Sequence, residues 1–136
     1  MAEVKVETIH GPVRRELLKG LLAFNKRTLG KFEFKPLSIT LRHRGAIVGG
    51  LYGETYLGWM FISLLWIADE FRGKGFGSKI MQAAEKEARK RGVKNAYVDS
   101  FGFQAPEFYK KLGYREFGKL TDFPAGHSRT WLTKAL

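Results

Sequence analysis

The run FISLLWIADEFRGKGFGSKIM, Phe61 to Met81, constrains the fold more than any other part of the chain. It opens with eight residues that are apolar except for Ser63, too uniform for a half-solvated strand and suited to a central strand covered on both faces. Glycines then alternate at Gly73, Gly75 and Gly77 before the period changes. Glycine is costly in backbone entropy, so three of them in five residues imply positive φ or a close approach to the main chain. From Ser78 to Gly92, Ile80, Met81, Ala84 and Ala88 form an apolar stripe, while Glu85 with Arg89 and Glu87 with Arg91 are favourable i,i+4 pairs. VKNAYVDSF, Val93 to Phe101, reads as another strand. Strand, loop, helix and strand from Phe61 to Phe101 therefore make one βαβ-like crossover.

The flanking segments extend this unit. VKVETI, Val4 to Ile9, alternates and predicts a first strand. A helix follows from Val13, with Leu17, Leu18, Leu21, Leu22 and Asn25 on one face, weakened by Gly20 and ended by Gly30. LSITLRHRG and AIVGGLYGETYLGWM carry strand composition around a turn at Arg44-Gly45, which predicts a hairpin with a long, glycine-bent second arm. PEFYKKLGY starts with a proline suited to the first helical turn and stops at Gly113. YREFGKL and SRTWLTKAL complete the set, joined by TDFPAGH. The order β-α-β-β-β-α-β-α-β-β predicts an α/β or α+β domain, a mixed sheet with helices over it, spanning residues 1–136 as one unit of ordinary domain size.

Composition narrows the chemistry. The chain has no cysteine, which excludes disulfides, thiolate nucleophiles and cysteine zinc clusters. That also fits a reducing, cytoplasmic setting. The amino terminus lacks the pattern of a secretion signal, and the most apolar stretch, Leu57 to Asp69, falls short of the roughly 18 residues that span a bilayer. His10, His43 and His127 are too dispersed to suggest a metal site. A formal net charge of +11 favours polyanions. Eight Lys and Arg residues against two Glu lie between Arg72 and Lys94, the local concentration expected around a diphosphate.

Successive backbone amides on a loop feeding a helix form an anion nest, reinforced by the positive end of the helix. Gly73, Gly75 and Gly77 permit the turn, and Ser78 is placed to cap the helix. The nucleoside-triphosphate loop does not fit, because no glycine precedes Lys and Ser or Thr at the required spacing. The dinucleotide fingerprint fails as well: its third glycine position is Ser78, and the chain after it is too short for a doubly wound domain.

Arg72-Gly73-Lys74-Gly75-Phe76-Gly77 resembles the [RQ]-x-x-G-x-[GA] signature of the GNAT superfamily, the GCN5-related N-acetyltransferases. The resemblance covers nearly the whole chain and includes Phe108-Tyr109 followed by Leu112-Gly113-Tyr114. It implies a mixed, mostly antiparallel sheet whose parallel fourth and fifth strands splay apart, with flanking helices. It implies acetyl-CoA as donor, its pyrophosphate on the amides between Arg72 and Ser78 and its pantetheine arm against exposed main chain at Leu65 and Ile67. It places Tyr109 near the coenzyme sulfur, as the acid for the leaving thiolate. Similar proteins are often homodimers, which allows the same here.

For the chemistry of amine acetylation, the absence of cysteine favours direct attack in a ternary complex over a covalent acetyl-enzyme. Glu54, Asp99 and Asp69 are alternative bases, and a water chain serves equally. Two departures from the family pattern fall at Gly102, where many relatives carry asparagine, and at Asp69, where proline is usual. Gln104 is a nearby amide. His127 and the aromatics Tyr52, Tyr56, Trp59, Phe101, Phe103 and Phe123 are candidates for lining the acceptor opening. The acceptor is expected to be an amine on a small molecule, peptide or protein. Two other function classes fit the composition, a basic nucleic-acid-binding domain and a catalytically silent acetyl-CoA sensor. The first lacks any recognisable nucleic-acid-binding motif, and neither a metal nor a membrane partner is expected.

Overall fold

A computed structural model describes residues 1–136. By internal packing these form two units, residues 1–33 and 34–136.

In the first unit, Val4 to Ile9 is not a strand. Val4 and Val6 are fully exposed. Alternation supplies a face to bury but no partner for the backbone hydrogen bonds, and a strand needs both. The helix is present as α1, Gly11–Leu29, with Pro12 in its first turn and Gly30 at φ +68° directly after it. None of its residues is buried.

The second unit is a six-stranded sheet in the order β1-β2-β3-β4-β6-β5. Its strands are β1 (Lys35–His43), β2 (Ala46–Tyr56), β3 (Trp59–Ile67), β4 (Asn95–Phe101), β5 (Arg115–Thr121) and β6 (Ser128–Ala135), and its helices are α2 (Phe76–Lys90) and α3 (Pro106–Lys111). Only the β3–β4 pair is parallel. With Val4–Ile9 outside the sheet, the strands expected to splay as fourth and fifth are β3 and β4. The Arg44-Gly45 turn has positive φ at both residues, the pattern of a tight two-residue hairpin. Leu57-Gly58 makes a second such turn. It cuts the long arm expected to run to Met60, so that β3 begins at Trp59.

α2 covers one sheet face. Ile80, Met81, Ala84 and Ala88 are buried with Leu37, Leu51, Met60, Ile62, Ala96, Val98 and Leu132 in a single core. Burying each large side chain contributes about 1.5–3 kcal/mol. Arg91 fastens the end of the helix to the first hairpin, donating to the carbonyls of Lys35 (3.3 Å) and Pro36 (3.1 Å) and to Thr55 Oγ1 (3.0 Å). Glu85, on the buried face, accepts from Tyr114 Oη at 2.9 Å and Lys134 Nζ at 2.8 Å, so its charge is paired inside the fold. Burial, and then the Glu85 charge, push the Tyr114 hydroxyl well above its ordinary pKa.

The sheet also creates an opening. β3 and β4 pair from Trp59/Asn95 only as far as Ile62/Val98, although β3 continues to Ile67. A register shift between Tyr52 and Gly53 pairs Gly53 with Ile62 but Tyr52 with Leu64, leaving Ser63 as the extra residue of a bulge. Gly53 is required there, because a Cβ would lie 2.2 Å from the Phe61 carbonyl oxygen. Leu64 and Trp66 are exposed. The expectation of a central strand covered on both faces is not met: even in the first half of β3 only Met60 and Ile62 are buried, while Trp59 on the other face is exposed, and β4 diverges from the second half.

Candidate active site

Where β3 and β4 part, a cavity of about 620 Å³ opens between them. Its walls are Ile62 to Ile67 of β3, Val98 to Ser100 of β4, Phe103 to Ala105, and Phe108 and Tyr109 of α3, with Arg72 and Gly77 also lining it. The unpaired half of β3 runs along it, leaving main chain without a neighbouring strand on the β4 side. An extended ligand carrying amide groups is the natural complement to such an edge.

The glycine loop borders the same cavity. Gly73 has φ +73° and Gly75 φ +80°, both in the left-handed region, and a Cβ at either would meet nothing within 4 Å. These glycines answer a backbone demand and face open space. The first amides of a helix have no acceptor within it, and none of residues 73–78 donates its amide to a backbone carbonyl elsewhere. These donors therefore stand unsatisfied at the positive end of α2, as an anion nest requires. Ser78 does not cap the helix: Gly75 holds the N-cap position with no side-chain hydrogen bond, and Ser78 lies within the first turn.

Arg72 is turned toward its own strand. Its Nε donates to the Ile67 carbonyl at 2.8 Å and its Nη1 lies 3.3 Å from Asp69 Oδ1, so the side chain braces the exit from β3. One lone pair of the Ile67 carbonyl is thus already engaged. Lys74 and Lys79 are exposed near the nest, their ammonium groups lying 5.8 Å and 5.6 Å from the Phe71 and Phe76 ring centroids.

A family model described as "Acetyltransferase (GNAT) family" matches residues 15–114. The chain belongs to the GNAT acetyltransferase family. An acetyltransferase of Agrobacterium fabrum is 37% identical over 115 residues, covering 84% of each chain. The blasticidin-S acetyltransferase of Streptomyces morookaense is 36% identical over 109 residues, covering 76% of this chain and 80% of its own. A crystal structure of an acetyltransferase from Agrobacterium tumefaciens superposes with a TM-score of 0.90 at 33% identity, over the full length of both chains. Membership makes this GNAT protein an acetyl-CoA-dependent acetyltransferase with the mixed sheet and splayed parallel pair expected of its sequence.

Among the candidate catalytic groups of this GNAT domain, Tyr109 and Asp99 line the cavity and Glu54 does not. Tyr109 is buried, and its hydroxyl has no hydrogen-bond partner within the chain. Burial, and secondarily the negative charge of Asp99, push its pKa up to about 12. Asp99 is not a free carboxylate, since Arg129 of β6 reaches its Oδ2 with Nε at 2.7 Å and with Nη2. Glu54 lies near Tyr97, whose hydroxyl is hydrogen-bonded to that of Tyr56. Burial, the Tyr56 bond and then the nearby charges raise the Tyr97 pKa. Gln104 is used internally, its Oε1 accepting the Phe101 amide at 2.8 Å at the end of β4. No group of three or more His, Asp or Glu side chains comes together as a metal site, and no helix is long and apolar enough to cross a membrane.

The Arg129–Asp99 pair escaped the sequence reading. Thirty residues separate the partners, and only the β4–β6 register brings their strands together.

Proposed function

We propose that the chain moves the acetyl group of acetyl-CoA to a primary amine by direct attack in a ternary complex. The observation that carries this is the convergence on one cavity of an unpaired strand edge, a loop of unsatisfied amides and a buried tyrosine. The coenzyme supplies an activated thioester. The amides of Gly73 to Ser78 hold its diphosphate, with Lys74 and Lys79 adding charge, and the main chain of Leu65 and Ile67 aligns the pantetheine arm. Arg72 keeps the loop in place.

At the far end of the cavity the acceptor nitrogen forms a bond to the acetyl carbon as the carbon–sulfur bond breaks. The nitrogen loses one proton, to the Asp99 carboxylate or to water beside it, and the departing sulfur takes one from Tyr109 Oη. Products are the acetamide and coenzyme A, with charge and protons balanced. The raised pKa of Tyr109 keeps its proton available through the physiological range. The Asp99–Arg129 pair favours water as the immediate base, because the carboxylate already accepts two donors from Arg129.

Names of relatives bear on the acceptor. One relative above is a blasticidin-S acetyltransferase, which supports a small-molecule amine over a protein. The family match crosses both structural units, which supports residues 1–136 acting as one acetyltransferase domain. Acetyl-CoA titration by calorimetry, with thiol release measured across a panel of primary amines, tests the reading. Binding with release that depends on an amine supports it; no binding at millimolar coenzyme refutes it, and binding without transfer to any amine leaves a sensor.

A further inference from the structure

Beside Asp99 the chain builds an aromatic cluster that neither the core nor the coenzyme contacts explain. The rings of Phe101 and Phe103 are stacked, with centroids 5.4 Å apart and planes 13° apart. Phe123 lies 5.3 Å from Phe101, and His127 meets Phe103 edge-on at 5.3 Å. Behind them the Arg129 guanidinium sits 5.0 Å from the centroid of Phe101, 5.1 Å from Phe123 and 4.9 Å from Trp131. The same guanidinium holds Asp99, so the ring stack and the cavity carboxylate are fixed to one support. Phe103 is nonetheless 60% exposed and also lines the cavity.

A large aromatic ring held in a stack, but left open beside a reaction cavity, is a platform for another flat ring. We propose that Phe103 is the acceptor-selecting surface and that the preferred acceptors are primary amines joined through a short saturated tether to an aromatic or heteroaromatic ring. This rests on the acetyltransferase reading above and narrows its substrate class. Offset stacking on Phe103 rewards a flat π-face, which a saturated ring of similar size lacks. Burial of apolar area alone would reward both.

The test compares benzylamine with cyclohexylmethylamine as acceptors, using the full chain, acetyl-CoA and thiol release. The ratio of kcat/KM for the two amines is measured in wild type, Phe103→Ala and Phe103→Trp. The amines differ in basicity, but that difference cancels when the ratio in one protein is divided by the ratio in another. The preference for benzylamine should fall about 3- to 10-fold in Phe103→Ala and survive in Phe103→Trp, with the acetyl-CoA Kd unchanged in both. An unchanged ratio in Phe103→Ala overturns the proposal, as does a weakened acetyl-CoA Kd, which would assign Phe103 to the coenzyme. A wild type that binds acetyl-CoA but acetylates neither amine overturns the subsite and spares the coenzyme reading. Failure to bind acetyl-CoA at all removes both.

Discussion

Gly75 stands at the start of α2 with φ +80° and ψ +7°, and a Cβ placed there meets no atom within 4 Å. Gly75→Ala therefore introduces no clash within the protein. Its intrinsic cost is that of holding an L-residue in the left-handed region, about 1–2 kcal/mol. The free loop relieves that strain by leaving the conformation that presents its amides, and binding must restore it. The new methyl group also occupies the space in front of the nest. The Kd for acetyl-CoA should rise by about 5- to 30-fold, the equivalent of that strain. Gly58→Ala is the matched control: it has φ +84°, open space around its Cβ and a place in the β2–β3 turn outside the cavity wall. It should lower stability by a similar amount without altering Kd. Calorimetric titration and urea unfolding of both variants separate the two effects. An unchanged Kd in Gly75→Ala, or equal weakening by Gly58→Ala, would refute the assignment of the coenzyme to this loop.

Tyr109→Phe should reduce kcat by at least about 100-fold, the scale of general acid catalysis, while the acetyl-CoA Kd stays constant; equal turnover in stopped-flow thiol release would remove Tyr109 as the acid. Because the folded pKa of Tyr109 is raised from 10.0 to about 12, the wild-type kcat profile should show no falling limb near pH 10. By linkage, the stability associated with that shift is fully present below about pH 10 and lost as the pH climbs toward 12. Gly53→Ala forces backbone to move away from the Phe61 carbonyl and should cost about 1–3 kcal/mol in urea unfolding, together with loss of coenzyme binding as the bulge shifts; a native-like midpoint would show the bulge to be dispensable.

Local signals were legible wherever a residue's own chemistry decides the backbone. Arg44-Gly45 marked a hairpin, Pro106 and Gly113 bracketed a short helix, and the change of period after Gly77 located α2. The crossover from Phe61 to Phe101 followed from these and brought the parallel pair with it. Elsewhere the outcome depended on partners distant in the chain. VKVETI alternates as a strand does, but no strand pairs with it. Leu57 is not a residue that favours positive φ, so the second hairpin turn was hidden behind Gly58. Ser78 was read as a cap, yet Gly75, the residue before Phe76, takes the N-cap in the left-handed region with no side-chain hydrogen bond. Neither the turn of Arg72 back onto Ile67 nor the capture of Asp99 by Arg129 leaves a periodic trace, since each is a single tertiary contact. The residue types at the site could be read, but their present partners could not.

Backbone amide resonances report most directly on whether residues 73–78 grip a diphosphate. Protein labelled with nitrogen-15 is titrated with acetyl-CoA and, separately, with acetyl-pantetheine, which carries the thioester arm without the diphosphate. The amides of Gly73 to Ser78 should shift strongly with acetyl-CoA and stay in place with acetyl-pantetheine, while those of Leu65 and Ile67 respond to both. Saturation with acetyl-CoA that leaves the loop amides unmoved would contradict the anion nest.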